Sequence, residues 1–146
     1  MLKTVKSMQE LDFAKLADVY ADQIKQPSEQ EDFYLYLVDF FNDPNMVYHI
    51  WEDGGEYLCA LRTEPYKDGL LVAGLHTKCR YRNKGYAKLL LSEVYEFYGV
   101  SMYSHVEKRN IPSVRAHLAC GFEKILDHAV FIDGSVSWNS FTLFHK

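Results

Sequence analysis

Cysteine is scarce in this chain. Cys59, Cys79 and Cys120 are an odd number without metal-ligand spacing, which argues against a disulfide framework and favours a reducing compartment. No apolar run approaches the roughly 20 residues that a membrane-spanning helix requires. The opening MLKTVKSMQELDF has no apolar core of signal-peptide length, so a cytoplasmic protein without a membrane partner is expected. The six histidines form neither H-x-E nor H-E-x-x-H, and no metal is expected. Positive charge is not in excess: 16 Lys+Arg against 20 Asp+Glu leave −4, which weighs against a nucleic-acid partner. With 8 Gly and 4 Pro, the chain is not collagen-like, and a 48% hydrophobic content excludes intrinsic disorder.

What is abundant is aromatic: 9 Phe, 11 Tyr and 2 Trp can bury a substantial core in 146 residues, and that length predicts one domain over 1–146. The charge is divided unevenly. Residues 1–73 carry 14 acids and 6 bases, whereas 74–146 carry 6 acids and 10 bases. An acidic half and a basic half suit two ligands of opposite charge, or two solvated surfaces.

Periodicity predicts a strand at Leu2 to Met8 and a helix over Glu10 to Gln26, ended by Pro27. Ser28 and Glu31 have capping-box spacing and predict a second helix to about Phe41. MVYHIWE, Asp53-Gly54-Gly55 and EYLCALRT read as a β-hairpin. LLVAGLHT is a buried strand, followed by a helix over Arg82 to Tyr98 and a strand over Val100 to Glu107. A short helix over Ile111 to Ala119 precedes Gly121, a candidate C-cap. Two strands, about Glu123–Ile132 and Val136–Phe144, complete a mixed α/β or α+β domain around one sheet. The strand, helix, strand run from Leu70 to Glu107 predicts a parallel pair.

The chemistry-bearing segment is LLVAGLHTKCRYRNKGYAKLLL. A buried strand enters a turn with small residues at Gly85 and Ala87, and a helix begins at once. Its first-turn N–H groups and dipole favour an anion, and Arg80, Arg82, Lys84 and Lys88 add positive charge. The segment is a pyrophosphate-binding candidate, and neither a Walker A loop nor a complete G-x-G-x-x-G fingerprint.

The R-x-x-G-x-A at Arg82 to Ala87 resembles the acetyl-CoA signature Q/R-x-x-G-x-G/A of the GNAT superfamily of N-acetyltransferases. A second segment, Asn110-Ile-Pro-Ser-Val-Arg-Ala-His117-Leu-Ala-Cys-Gly121-Phe122, is similar to that superfamily's N-x-x-(A/S)-x-x-x-Y-x-x-x-G-F. The element order matches over essentially the whole chain. The resemblance implies a central mixed sheet of about seven strands and about four helices, with parallel strands 4 and 5 splayed apart. It implies an acetyl-CoA co-substrate, with the pyrophosphate on backbone N–H groups around Arg82, Asn83, Lys84, Gly85, Tyr86 and Ala87. Leu75, His76 and Thr77 would pair with the pantetheine arm, and Asn110 would lie near the acetyl end.

The activity implied is acetyl transfer to a primary amine of a small molecule or peptide, by direct attack in a ternary complex. A catalytically weak acyl-CoA-binding or sensing module is the alternative, and a homodimer is compatible with the resemblance. At the superfamily's frequent tyrosine, which protonates the leaving thiolate, this chain has His117, an imidazole able to donate near neutral pH. Candidates for the base are His76 on the fourth strand and His105 or Glu107 on the fifth. Alternation puts Tyr103, His105 and Glu107 on one face and Met102 and Val106 on the other, without saying which face meets substrate. Cys79 reads as a small thiol rather than a nucleophile.

Overall fold

A computed structural model describes residues 1–146. Strands β1 (Leu2–Val5), β2 (Val47–Asp53), β3 (Glu56–Tyr66), β4 (Gly69–Thr77), β5 (Met102–Glu107), β6 (Glu123–Leu126) and β9 (Ser140–His145) form one seven-stranded sheet. Its order is β1-β2-β3-β4-β5-β9-β6. Only β4 and β5 pair in parallel, and the other pairs are antiparallel. Strands β7 (Ala129–Val130) and β8 (Val136–Ser137) make a separate two-stranded ribbon. The two long tail strands read from the sequence are therefore each broken in two. Helices α1 (Phe13–Val19), α2 (Pro27–Phe40), α3 (Tyr86–Tyr98) and α4 (Ile111–Ala119) complete the fold.

Local chemistry moves four helix boundaries from their expected places. Pro27 does not end the first helix; it opens the second. Its fixed φ and missing N–H suit position N1, so Gln26 becomes the N-cap and the capping box forms with Glu29 rather than between Ser28 and Glu31. The Gln26 N–H donates to Glu29 Oε1 at 3.0 Å. Helix α1 is shorter than its apolar spacing implies, starting at the Asp12 cap and closing at Tyr20. Helix α3 begins at Tyr86, not Arg82, because Asn83 (φ +62°) and Gly85 (φ +84°) are left-handed and keep the basic loop out of the helix.

The sheet has a core on each face. Leu16, Val19, Leu37, Tyr48 and Ile50 pack beneath α1 and α2. Cys59, Leu61, Val72, Met102 and Val106 pack against Leu90, Leu91 and Val94 of α3. The helical face anticipated on α3 is thus the buried one. All three cysteines are free, and no helix is long and apolar enough to cross a membrane.

The β4–β5 pairing is short. It covers Leu70, Leu71 and Val72 against Met102, Tyr103 and Ser104, and then the strands part. On its other side β4 bulges: β3 advances from Ala60 to Arg62 while β4 advances from His76 back to Ala73. Gly74 sits in that bulge at φ +63°, a conformation that strains residues bearing a Cβ.

One buried polar network ties α3 to the first three strands. His49 is fully buried, with Nδ1 3.2 Å from Thr4 Oγ1 and Nε2 2.7 Å from the Tyr98 hydroxyl, which lies 3.1 Å from Thr63 Oγ1. Burial, aided by Lys6, lowers the His49 pKa to about 4. Between pH 6.5 and about 4 the unfolded chain therefore binds a proton at this site that the folded chain refuses. Stability should fall on acidification through that window, with His49 contributing about 3 kcal/mol of the loss. Urea unfolding across this pH range should show a weaker dependence for His49→Gln. An unchanged pH slope would exclude His49 as its source.

Candidate active site

Where β4 and β5 part, a cavity of about 220 Å³ opens between them, lined by Val72 to Leu75, Ser104 to Glu107, Asn110, Ser113 and His117. Two imidazoles enter its wall from opposite sides. His105 lies on the sheet face away from α3, its ring edge-to-face with Tyr66 and Phe131. His117 comes from α4 and packs edge-to-face on Phe122. The alternation of β5 is thereby settled, since Met102 and Val106 face α3.

Both Nε2 atoms are buried without a hydrogen-bond partner. That is costly unless something else satisfies them. The pKa of His117 is lowered by burial, against the opposing effect of the Ser113 carbonyl. Burial and the charge of Lys67 lower that of His105. Both rings are therefore neutral at pH 7. The His117 Nδ1–H donates to the Ser113 carbonyl at 2.7 Å, which leaves the Nε2 lone pair available.

Leu75, Asn110 and Ser113 also line a second, larger groove of about 760 Å³, so the two spaces share a wall. The groove runs past Thr77, Arg82, Asn83 and Gly85 to the start of α3 at Tyr86, Ala87 and Lys88, and to Arg115 of α4. No side chain caps α3, so its first N–H groups remain available to an anion. Lys88 and Arg115 form no ion pair.

The other cations around the loop are held by acidic residues of the first half. Arg82 Nη2 is 2.6 Å from Asp22 Oδ2, and His76 Nε2 is 2.8 Å from Asp22 Oδ1. Desolvation opposes ionisation of Asp22, but the hydrogen bonds from His76 and Arg82 outweigh it and bring its pKa to about 2. Glu56 accepts from Lys78, Arg80 and Tyr81, and these contacts lower its pKa to about 2.

The structure thus brings together nearly all the residues singled out in the sequence. Leu75, Thr77, Arg82, Asn83, Gly85, Tyr86, Ala87 and Asn110 line the continuous space, with His117 and Glu107 on its inner part and His76 on its outer part. Lys84 does not line it; its ammonium lies 5.6 Å from the Tyr81 ring centroid. Asn110 caps α4, accepting from the Ser113 N–H at 3.3 Å. His76 is engaged by Asp22, and Glu107 is more than half exposed and paired with Arg109 at 2.9 Å. Among the candidate bases, His105 alone offers a buried, unpartnered nitrogen.

Sequence reasoning missed Asp22, Arg115 and Gly74. An isolated glycine in an apolar strand signals a bulge and could have identified Gly74. Nothing local marks Asp22, whose partners lie 54 and 60 residues away. No group of three or more His, Cys, Asp or Glu side chains is arranged to hold a metal ion.

Comparison with known proteins agrees with this geometry. The model of the acetyltransferase (GNAT) family matches residues 13–122. No curated protein sequence gives a significant match. Among solved structures, Campylobacter jejuni N-acetyltransferase PseH in complex with acetyl coenzyme A is similar at TM-score 0.72 and 14% identity, covering 100% of this chain and 99% of that one. The PaiA N-acetyltransferase from Thermoplasma acidophilum, in complex with coenzyme A, is similar at TM-score 0.67 and 14% identity, with coverage of 100% and 99%. A spermidine N-acetyltransferase SpeG chimera from Vibrio cholerae and hSSAT gives TM-score 0.66 and 15% identity, with coverage of 99% and 93%.

Gly85 separates anion binding from packing. A Cβ added there would meet nothing within 4 Å, so Gly85→Ala carries only the left-handed penalty of about 1 kcal/mol. Its melting temperature should drop by about 2–5 °C, while calorimetric affinity for CoA should fall about tenfold as the methyl crowds the anion approach. Unchanged affinity would remove the loop from the binding site.

Proposed function

The chain belongs to the acetyltransferase (GNAT) family, and we propose that it moves an acetyl group from acetyl-CoA to a primary amine by direct attack in a ternary complex. The observation that carries this reading is the pair of buried, unpartnered imidazole nitrogens on opposite walls of the space between β4 and β5. The adjoining groove has the ingredients a CoA pyrophosphate requires: uncapped helix N–H groups, left-handed Asn83 and Gly85, and the unpaired cations Lys88 and Arg115. Past Val72 the β4 backbone has no partner on β5, so its N–H and C=O groups suit the amides of a pantetheine arm and polarisation of the thioester carbonyl.

In this mechanism the neutral amine attacks the thioester carbonyl carbon; the C–N bond forms and the C–S bond breaks. His105 Nε2 takes the proton that the amine nitrogen must lose. The leaving thiolate takes its proton from solvent, directly or by way of His117 Nε2 on the α4 side, and His105 returns the amine's proton to solvent. Because the His117 Nδ1–H is committed to Ser113, any proton that His117 delivers is one that its Nε2 has first accepted, as an imidazolium. No covalent acyl-enzyme is involved.

The lowered pKa of His105 fixes the sign of the pH dependence. A base must be neutral, so kcat/KM should rise with pH through an inflection below 6.5, separate from the higher inflection set by ionisation of the amine itself. His105→Phe should lower kcat about 100-fold and flatten that limb, with acetyl-CoA affinity retained. His117→Phe should also lower kcat with little change in acetyl-CoA affinity, and an unchanged kcat would sink its role. The activity itself is tested by free-thiol release from acetyl-CoA over an amine library, with mass-spectrometric detection of the N-acetyl product. Binding of acetyl-CoA without thiol release from any amine would identify an acyl-CoA-binding module instead.

A further inference from the structure

On the face of the sheet opposite α3, Arg62 of β3 stands in the register gap that creates the β4 bulge, opposite Ala73. Its guanidinium is half-buried and lies 5.6 Å from the ring centroid of Tyr36, a residue that is itself 42% exposed. Gly74 fixes its position relative to the inner cavity. Gly74 lines that cavity, and a Cβ placed there would collide with Arg62 Nη1. The guanidinium is therefore separated from the acyl-transfer cavity by a backbone that carries no side chain.

What surrounds Arg62 is unusual for a half-buried cation. It forms no ion pair, whereas Lys78, Arg80 and Arg82 nearby each have an Asp or Glu within 4 Å. Its electrostatic neighbours are the phenols of Tyr36, Tyr48 and Tyr20. Two of those phenols have little left to offer a ligand. The Tyr20 hydroxyl donates to the Gly74 carbonyl at 2.7 Å and lies 2.9 Å from the Tyr48 hydroxyl, which fits Tyr48 donating to Tyr20. Glu64 and Asp39 act on Tyr36 from a distance, but neither pairs with Arg62. The planar guanidinium fork, bordered by these phenols and partnered by Tyr48, is left without an anion. Burying such a charge is costly until a carboxylate meets it.

We propose that Arg62 is a specificity-determining residue that holds the carboxylate of the acceptor, so that the amine acetylated belongs to a small amino acid. This rests on the acetyl-transfer reading above. The carboxylate lies on the guanidinium, and the amino group, a few bonds away, reaches past Gly74 to the carbonyl carbon. The amine nitrogen forms the new C–N bond and yields its proton to His105, and the C–S bond breaks to release the thiol. The carboxylate stays unreacted, and the product is an N-acetyl amino acid.

The test compares matched triplets: an α-amino acid, its α-carboxamide and its decarboxylated amine. Wild-type enzyme should favour the acid in kcat/KM by about 30-fold or more for at least one triplet, the difference lying mainly in KM. Arg62→Met should abolish the preference and Arg62→Lys should keep part of it, with melting temperature and CoA affinity reporting that each variant is folded. A second measurement needs neither variant nor turnover: calorimetric titration of the wild-type CoA complex with N-acetyl amino acids and with their amides. Only the acids should bind. Efficient transfer to carboxylate-free amines with no preference for the acid overturns the Arg62 assignment and leaves acetyl transfer standing. Selective binding of the acids without transfer to any amine overturns acetyl transfer and leaves the carboxylate subsite. Equal binding of acids and amides, with no preference in turnover, overturns the subsite.

Discussion

Strands β4 and β5 are hydrogen-bonded over three residue pairs and then separate. A parallel pair in the middle of a sheet ordinarily continues, because each lost rung leaves a donor and an acceptor that must be satisfied elsewhere. Here the first free rung coincides with the bulge at Gly74, so the chain moves away from β5 while it is also displaced along β3. The resulting gap can be filled by neither strand. Helix α4 walls it on one side with His117, and the opposite face contributes His105. A stretch of β4 without a β5 partner and two imidazole nitrogens without a hydrogen-bond partner border one small volume, an arrangement suited to a polar, extended ligand.

The bulge is itself held from the side. Tyr20, just past the end of α1, bonds the Gly74 carbonyl, and the same ring stacks on His76 with centroids 5.1 Å apart. Asp22, two residues on, joins His76 to Arg82 at the start of the basic loop. A single turn of chain after α1 thus braces both the bulge and the loop. The early end of α1 acquires a reason: a continued helix would put residues 20–23 elsewhere. The Asp22 side chain is about two-thirds covered and bound by two partners, and with its pKa brought to about 2 it is ionised at neutral pH.

Much of this is legible in the sequence. The apolar strand, the loop R-x-x-G-x-A and the segment from Asn110 to Phe122 are local patterns, and each keeps its shape because its reasons are local: a buried strand, a left-handed glycine, an N-cap. The seven-stranded sheet and its splayed parallel pair followed from element order together with the family resemblance. Less visible were features decided by distant partners. The N-terminal boundary of α2 went to Pro27 because a proline fits N1 better than it ends a preceding helix, a competition that periodicity cannot register. The tail strands broke where β7 and β8 pair with each other instead of extending the main sheet. His105 could be placed on a face by alternation, but only the packing of Met102 and Val106 under α3 says which face that is.

The division of charge along the chain acquires a structural meaning through these contacts. An acidic wall for a cationic acceptor would require its carboxylates to be free. Those nearest the site are not: Asp18, Asp22 and Glu56 reach across to Lys78, Arg80 and Arg82. Acidic residues of the first half therefore neutralise and orient much of the basic loop of the second, and Lys88, Arg115 and Arg62 are among the cations that no carboxylate meets. Lys88 and Arg115 border the groove, while Arg62, a base within the acidic half, lies beside the bulge. Pairing neutralises Lys78, Arg80 and Arg82 locally, while Lys88 with Arg115 at the groove and Arg62 beside the bulge keep their charge. The groove pair suits a polyphosphate and Arg62 a single carboxylate, so selectivity for both ligands comes from which cations the fold leaves without a partner.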